Sequence, residues 1–355
     1  MELSFWEQSL PFEYPFTISN GRTKTHQHSL MVRLSLGNWQ GFGEAPAIVY
    51  YQVTVEGMME QLEKNRKVIE KFALTDPERF WHFLHHLFPN DPFLVCALDM
   101  AGWDLWGQMK KQPLHRLWNT EWPTSSNQGA ISIPPICDYT LGIDPIEKMV
   151  QKMEAHPWPI YKVKVGTEYD IEMITALRKH TDKPIRVDAN AGWTTEEALL
   201  KIPALAELGV ELVEQPLAKD NWEGMEQLKK QNALPLFADE SCVLEKDVKV
   251  CANYFHGINI KLTKCSGLTP ALRMIQEART LNLKVMMGSM NESVIGSAAI
   301  AQFLPQLDYV DMDGPLLMTE LNGVGLNFSF ENNNGCIEPL MHYGLGVQNR
   351  PPFVK

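Results

Sequence analysis

The chain has 355 residues, enough for about two domains of ordinary size, and its 45% hydrophobic and 21% charged content is that of a folded globular protein. Lys and Arg number 32 against 43 Asp and Glu, a net charge of −11 that no basic run interrupts. That balance argues against a nucleic-acid or anionic-membrane surface. The first residues carry acids and no export-type apolar stretch, and no later segment reaches about 18 uninterrupted apolar residues, so a cytoplasmic protein is expected. Six cysteines (Cys96, Cys137, Cys242, Cys251, Cys265, Cys336) form no C-x-x-C pair and read as small buried hydrophobes.

Residues 29–36 alternate in polarity, Gly37-Asn38 supplies a hairpin turn, and residues 39–47 run back. Helical apolar spacing follows over 50–74, 77–88 and 92–111, the last with Leu94, Ala97, Leu98, Ala101 and Leu105 on one face. Strands first and helices after describe an α+β unit. From about residue 128 the pattern changes to short apolar runs separated by amphipathic helices: 130–133, 161–165, 185–188, 211–214, 236–239, 258–261, 284–287 and 309–311. Thr194-x-x-Glu197 predicts a capping box, and Thr269-Pro270 predicts an N-cap with proline at the first helical position. The run ends Lys164, Asp188, Glu214, Asp239, Lys261, Gly288 and Asp311 recur at intervals of 22 to 27 residues. Eight βα-type repeats fit a closed parallel barrel better than an open doubly wound sheet, and a barrel gathers functional residues at the carboxyl ends of its strands. The Pro/Gly-rich tail is expected to pack back on the first domain.

Asp188, Glu214 and Asp239 end three consecutive strands, so their carboxylates converge at the mouth. Three bare carboxylates need a cation, and hard oxygen donors with room for water suit Mg²⁺. Each acid could instead cap the helix that follows it, but caps do not explain the neighbouring lysines. Lys162 and Lys164 share one face of a strand that has no solvated face, which directs both into the mouth. Lys261 ends a strand on the other side of the ring, where it either faces Lys164 or neutralises an acid. Two lysines flanking a metal can remove a proton next to a carboxylate on one face and return it on the other, the chemistry of a racemase or epimerase. A lysine so placed should have a depressed pKa. Asp311 and Asp313 share a face at the last strand and suggest a substrate ammonium group, or else a solvated turn. His82, His85 and His86 lack the His-Glu-x-x-His pattern and read as helix surface, while Trp103 and Trp106 read as interdomain core.

Lys162-Val163-Lys164, Asp188-Ala189-Asn190, Glu214-Gln215-Pro216, Asp239-Glu240-Ser241 and Ile260-Lys261-Leu262 resemble, in order and spacing, the strand-end motifs of the muconate-lactonizing subgroup of the enolase superfamily. The resemblance implies a (β/α)7β TIM-like barrel (125–324) with an α+β capping domain (1–124) on which the tail 325–355 packs. It implies Mg²⁺ on Asp188, Glu214 and Asp239, and acid/base lysines at Lys164 (for the L-configured carbon) and Lys261 (for the D-configured one). Lys162 would neutralise the substrate carboxylate. Asp311-Met312-Asp313 resembles the D-x-D signature of the dipeptide epimerases, whose two acids bind a free α-ammonium. Phe16 and Arg22 resemble a loop that closes over the site. Ser132 is expected to end the first barrel strand and Met290 to contact substrate beside Gly288 and Ser289. The expected function is Mg²⁺-dependent epimerisation of Ala-Xaa or similar small or hydrophobic dipeptides at the C-terminal Cα by an isomerase, and a homo-oligomer is possible because family members often form one. N-acylamino acid racemase, o-succinylbenzoate synthase or muconate-type cycloisomerase activity stays open, as does a catalytically dead barrel that binds a small acid.

Overall fold

The computed structural model describes residues 1–17, 23–120, 134–319, 325–329 and 336–348. Strands β1 (Glu2–Thr17), β2 (Thr23–Leu36) and β3 (Trp39–Pro46) form an antiparallel sheet. Leu36 pairs with Trp39 across the two-residue turn, where Gly37 takes the positive φ of 58° that a tight hairpin needs. The helices Val55–Glu70, Pro77–Leu87 and Pro92–Lys110 follow. The first starts five residues later than its periodicity suggests, because Thr54 accepts the Gly57 N–H as N-cap and the turn Val49–Tyr51 precedes it. Helix Pro92–Lys110 lies directly on the sheet: a Cβ at Gly43 would come within 1.9 Å of the Ala97 carbonyl oxygen, so only glycine permits this approach. Asp104 accepts the Phe42 and Leu345 N–H groups at 2.8 and 3.0 Å, tying the helix to β3 and to the tail at once.

The second sheet has eight parallel strands in chain order: β4 (Tyr139–Leu141), β5 (Tyr161–Lys164), β6 (Ile185–Asp188), β7 (Val210–Glu214), β8 (Leu236–Ala238), β9 (Gly257–Ile260), β10 (Lys284–Gly288) and β11 (Tyr309–Asp311). Cys137, just before β4, bridges in parallel to Val310 of β11 and brings the two edges together. A helix joins each consecutive pair of strands, giving the (β/α)7β barrel. Among the described residues its first strand is Tyr139–Leu141, and the expected 130–133 lies outside them. The strand at 139–141 was hidden because its approach contains Asp138, a buried acid paired to Arg186 at 2.8 Å, in place of a continuous apolar run.

The capping box forms as expected, with Glu197 N–H donating to Thr194 Oγ1 and Thr194 N–H to the Glu197 carboxylate. Thr269, by contrast, is not an N-cap. Its helix spans Leu268–Thr280 with Gly267 at the cap, and Asp99 of helix Pro92–Lys110 accepts the Thr269 N–H and hydroxyl. A tertiary contact has taken over from the local one. Trp103 Nε1 donates to Thr269 Oγ1 and Trp81 Nε1 to the Ser266 carbonyl across the same junction. The tail contributes strands β12 (Leu326–Ser329) and β13 (Cys336–Pro339), paired antiparallel. Cys96, Cys137, Cys242, Cys251 and Cys265 are buried and free, and among the described residues no helix is long and apolar enough to cross a membrane.

Candidate active site

Parallel register sets the site. Lys164 pairs with Asp188, and Asp188 with Glu214, so three charged residues stand at one level on β5, β6 and β7. Asp239 directly follows β8, and Lys261 directly follows β9. All are buried, in the apolar surroundings of a barrel whose side chains have no outward solvent, so each charge must find a partner inside.

The partners form a connected ring. Lys162 Nζ lies 2.6 Å from Asp311 Oδ2, 2.8 Å from Glu214 Oε2 and 3.4 Å from Asp188 Oδ2. Lys164 Nζ donates to Asp188 Oδ2 at 2.6 Å, and Lys261 Nζ to Asp239 Oδ2 at 2.9 Å. Lys264, absent from the sequence-derived set, holds the other Asp239 oxygen and the Asp239 carbonyl. Asn259 Nδ2 donates to Glu214 Oε1 at 2.7 Å. Asp313 accepts the Thr140 N–H at 2.6 Å.

Electrostatics follow the pairing. Burial alone would raise the Asp188 carboxyl, but Lys164 and Lys162 outweigh it and hold it at about 2. Burial likewise opposes the ionisation of Asp239, and Lys261 and Lys264 draw it well below the usual range. Glu214 is pushed up by burial and by Asp188. Asp313 is pushed far up by burial, with Asp311 and Asp138 adding to it. Desolvation would lower Lys261, yet Asp239 and Glu214 raise it. The depressed lysine pKa expected from sequence presupposes a divalent cation beside the amine; the carboxylate ring alone gives the opposite sign.

Among the described residues no three acids are arranged as a closed cluster around one point, because lysine ammonium groups stand between them. The donor chemistry nevertheless fits a hard cation: three buried carboxylates on neighbouring strands, with Glu214 Oε2 buried and facing only a cation, the Lys162 ammonium at 2.8 Å. The lysines occupy the positive side of each contact.

Above the ring lies a cavity of about 360 Å³. Of the sequence candidates, Lys164, Lys261, Asp311 and Met290 line it, while Lys162, Asp188, Glu214, Asp239 and Asp313 lie outside its lining. Arg22 and Ser132 lie outside the described residues. Thr23 and Lys24 of β2, the turn residues Ile48, Val49 and Tyr50, and the barrel residues Thr140, Asn190, Ser289 and Asn291 complete the walls. Thr140 had a sequence signal: one more repeat interval back from Lys164 falls on residues 139–141. The β2 and turn residues had none, because nothing local says which end of a small sheet faces a barrel.

Residues 145–352 match the family described as enolase C-terminal domain-like. The L-Ala-D/L-amino acid epimerase of Flavobacterium johnsoniae is 47% identical over 340 residues, covering 94% of this chain and 98% of the relative. Among solved structures, the substrate-liganded L-Ala-D/L-Glu epimerase of Bacillus subtilis superposes with a TM-score of 0.88 at 26% identity, over 99% of both chains. The dipeptide epimerase of Enterococcus faecalis V583, complexed with Mg and L-Leu-L-Tyr, has a TM-score of 0.87 at 29% identity, over 98% of this chain and 99% of that one. The chain belongs to the enolase C-terminal domain-like family, within the enolase superfamily.

Proposed function

We propose that this protein is a Mg²⁺-dependent dipeptide epimerase that inverts the Cα of the C-terminal residue of Ala-Xaa and similar small or hydrophobic dipeptides. The observation that carries the reading is that Lys164 and Lys261, from β5 and the end of β9, line one cavity with Asp311. Lys164 takes the proton from the Cα of the L-configured residue, and Lys261 supplies one from the opposite side; in the reverse direction the roles exchange. Asp188, Glu214 and Asp239 would hold Mg²⁺, which would supply positive charge to offset the negative charge that develops on the substrate carboxylate. Lys162 offsets the substrate carboxylate, and Asp311 with Asp313 receives the α-ammonium. Arg22, Ser132 and Met290 complete the substrate contacts. The same reading takes residues 1–124 as a cap and 125–324 as the catalytic barrel of a cytoplasmic protein, for which a homo-oligomer is possible. The Enterococcus faecalis relative, whose structure holds Mg and a dipeptide, supports it.

Mass spectrometry in D₂O with Mg²⁺ tests the proposal on L,L-dipeptides mixed with N-acetyl and N-succinyl amino acids. Deuterium is expected at the C-terminal Cα of the free dipeptides alone. Exchange confined to N-acyl compounds would make the protein a racemase or synthase, and no exchange anywhere would overturn the proton-transfer chemistry.

A further inference from the structure

The side-chain amide of Gln215 is fully buried and uses its whole bonding capacity between two strand ends. Its Oε1 accepts the backbone N–H groups of Asp239 and Ser241 at 3.0 and 3.1 Å. Its Nε2 donates to the Leu217 carbonyl at 2.8 Å and to Ser241 Oγ at 2.9 Å. Ser241 Oγ passes its own hydrogen to the Lys219 carbonyl at 2.8 Å. This pattern fixes which end of the amide is oxygen, since the two N–H groups and the carbonyl admit one orientation. The main chain of the same residue reaches both ways: Gln215 N–H donates to the Phe237 carbonyl, and Ala191 N–H donates to the Gln215 carbonyl, each at 2.8 Å. Gln215 also holds a positive φ of 35°, unusual for a residue with a Cβ and sustained only where surroundings over-determine it.

One residue therefore joins the ends of β6, β7 and β8, the three strands that carry Asp188, Glu214 and Asp239. We infer that Gln215 is a positioning residue: by gripping the Asp239 and Ser241 N–H groups it fixes the Asp239 carboxylate against Glu214, so that the three acids are held for a divalent cation. The inference rests on the proposal that Asp239 is a metal ligand. Glutamate has the same shape and keeps an acceptor for the Asp239 and Ser241 N–H groups. It puts an oxygen, not an N–H, against the Leu217 carbonyl and Ser241 Oγ, so Gln215→Glu loses the anchor that holds the gripping oxygen in place while keeping its size.

The test is calorimetric titration of the metal-free full-length protein with Mg²⁺ alone, for the native chain, Gln215→Glu, Ser241→Ala and Asp239→Asn, with melting curves in chelator to show that each folds. Gln215→Glu is expected to weaken Mg²⁺ binding by about tenfold, the low end of losses seen when a group supporting a metal ligand is changed, and Ser241→Ala to weaken it less. A purely structural glutamine would lower the melting temperature and leave the Mg²⁺ Kd alone. Native affinity in folded Gln215→Glu, or in Ser241→Ala should the former not fold, together with weakened binding in Asp239→Asn, overturns the positioning role by itself. Native affinity in Asp239→Asn overturns the ligand assignment, and the inference with it.

Discussion

Lys162 and Asp311 stand 149 residues apart in the chain, yet their side chains meet at 2.6 Å between the second strand of the barrel and its last. The ammonium is 1% exposed and also faces Glu214 and Asp188. Burial opposes its charge, but these carboxylates keep it protonated well above the ordinary range for a lysine. Replacing Lys162 with Met would leave three buried acids short of a cation. Breaking a buried ionic contact from one side costs about 3–5 kcal/mol, so metal-free Lys162→Met is expected to lose about that much in urea unfolding, with Mg²⁺ restoring part of it. A variant as stable as the native chain would show that the ring does not depend on this amine.

The two lysines of the proposed proton transfer predict asymmetric partial reactions. Lys261→Ala should still exchange the Cα hydrogen of an L,L-dipeptide with D₂O through Lys164, without inverting it, whereas Lys164→Ala should exchange only the L,D-epimer. Net epimerisation should drop by about 10²–10⁴-fold in both, the usual worth of a positioned acid or base. Loss of exchange from both epimers in both variants would argue that the lysines do not act from separate sides. Proton NMR of the Cα signal follows exchange and inversion in the same sample.

How far these features were readable in the sequence depends on what positions each residue. Lys164, Asp188, Glu214, Asp239 and Lys261 stood out because a parallel barrel repeats one unit, so every strand end recurs at a similar interval and a charge there breaks an apolar run. The first strand did not stand out, since Asp138 and Thr140 interrupt it and are reconciled only by Arg186 and Asp313, far away in the chain. Lys264 and Asn259 look like an ordinary helix lysine and a strand asparagine until folding brings them to Asp239 and Glu214. Thr269 shows the same limit, for its apparent cap was claimed by Asp99, which no local pattern reveals.

Asp311 and Asp313 look equivalent in the sequence, but the structure separates them. Asp311 lines the cavity, and although burial works against its charge, Lys162 and Lys164 keep its carboxyl below the ordinary value. Asp313 is engaged with the Thr140 N–H. Asp311→Asn should therefore raise the KM for free dipeptides by about 10-fold or more, since a hydrogen bond to a charged group contributes about 1.5–3 kcal/mol. Asp313→Asn should affect KM less and stability more, because its amide must still satisfy a buried backbone N–H. Equal KM increases in the two variants would mean that the two carboxylates share the ammonium equally.

Asp99 gives the clearest pH dependence, and it lies at the junction between helix Pro92–Lys110 and the barrel, away from the proton-transfer cavity. Burial lifts its carboxyl from the ordinary 3.8 to about 7, against the pull of the Thr269 N–H and hydroxyl. Between those two values the folded protein retains a proton that the unfolded chain has released, so stability falls as pH rises through this window, by at most about 1.4 kcal/mol per pH unit. The contribution is whole below pH 3.8 and gone above about 7. Asp188, held at about 2, has the opposite sign and acts at lower pH, where its stabilising contribution is lost as pH falls. Asp99→Asn cannot titrate, and whatever its constant cost, its stability should not share this decline. The difference in urea-unfolding free energy between native and Asp99→Asn protein, measured in chelator from pH 4.5 to 7.5, should shift steadily against the native chain. If the two curves run parallel, Asp99 is ionised throughout, and the hydrogen bonds from Thr269 outweigh its burial.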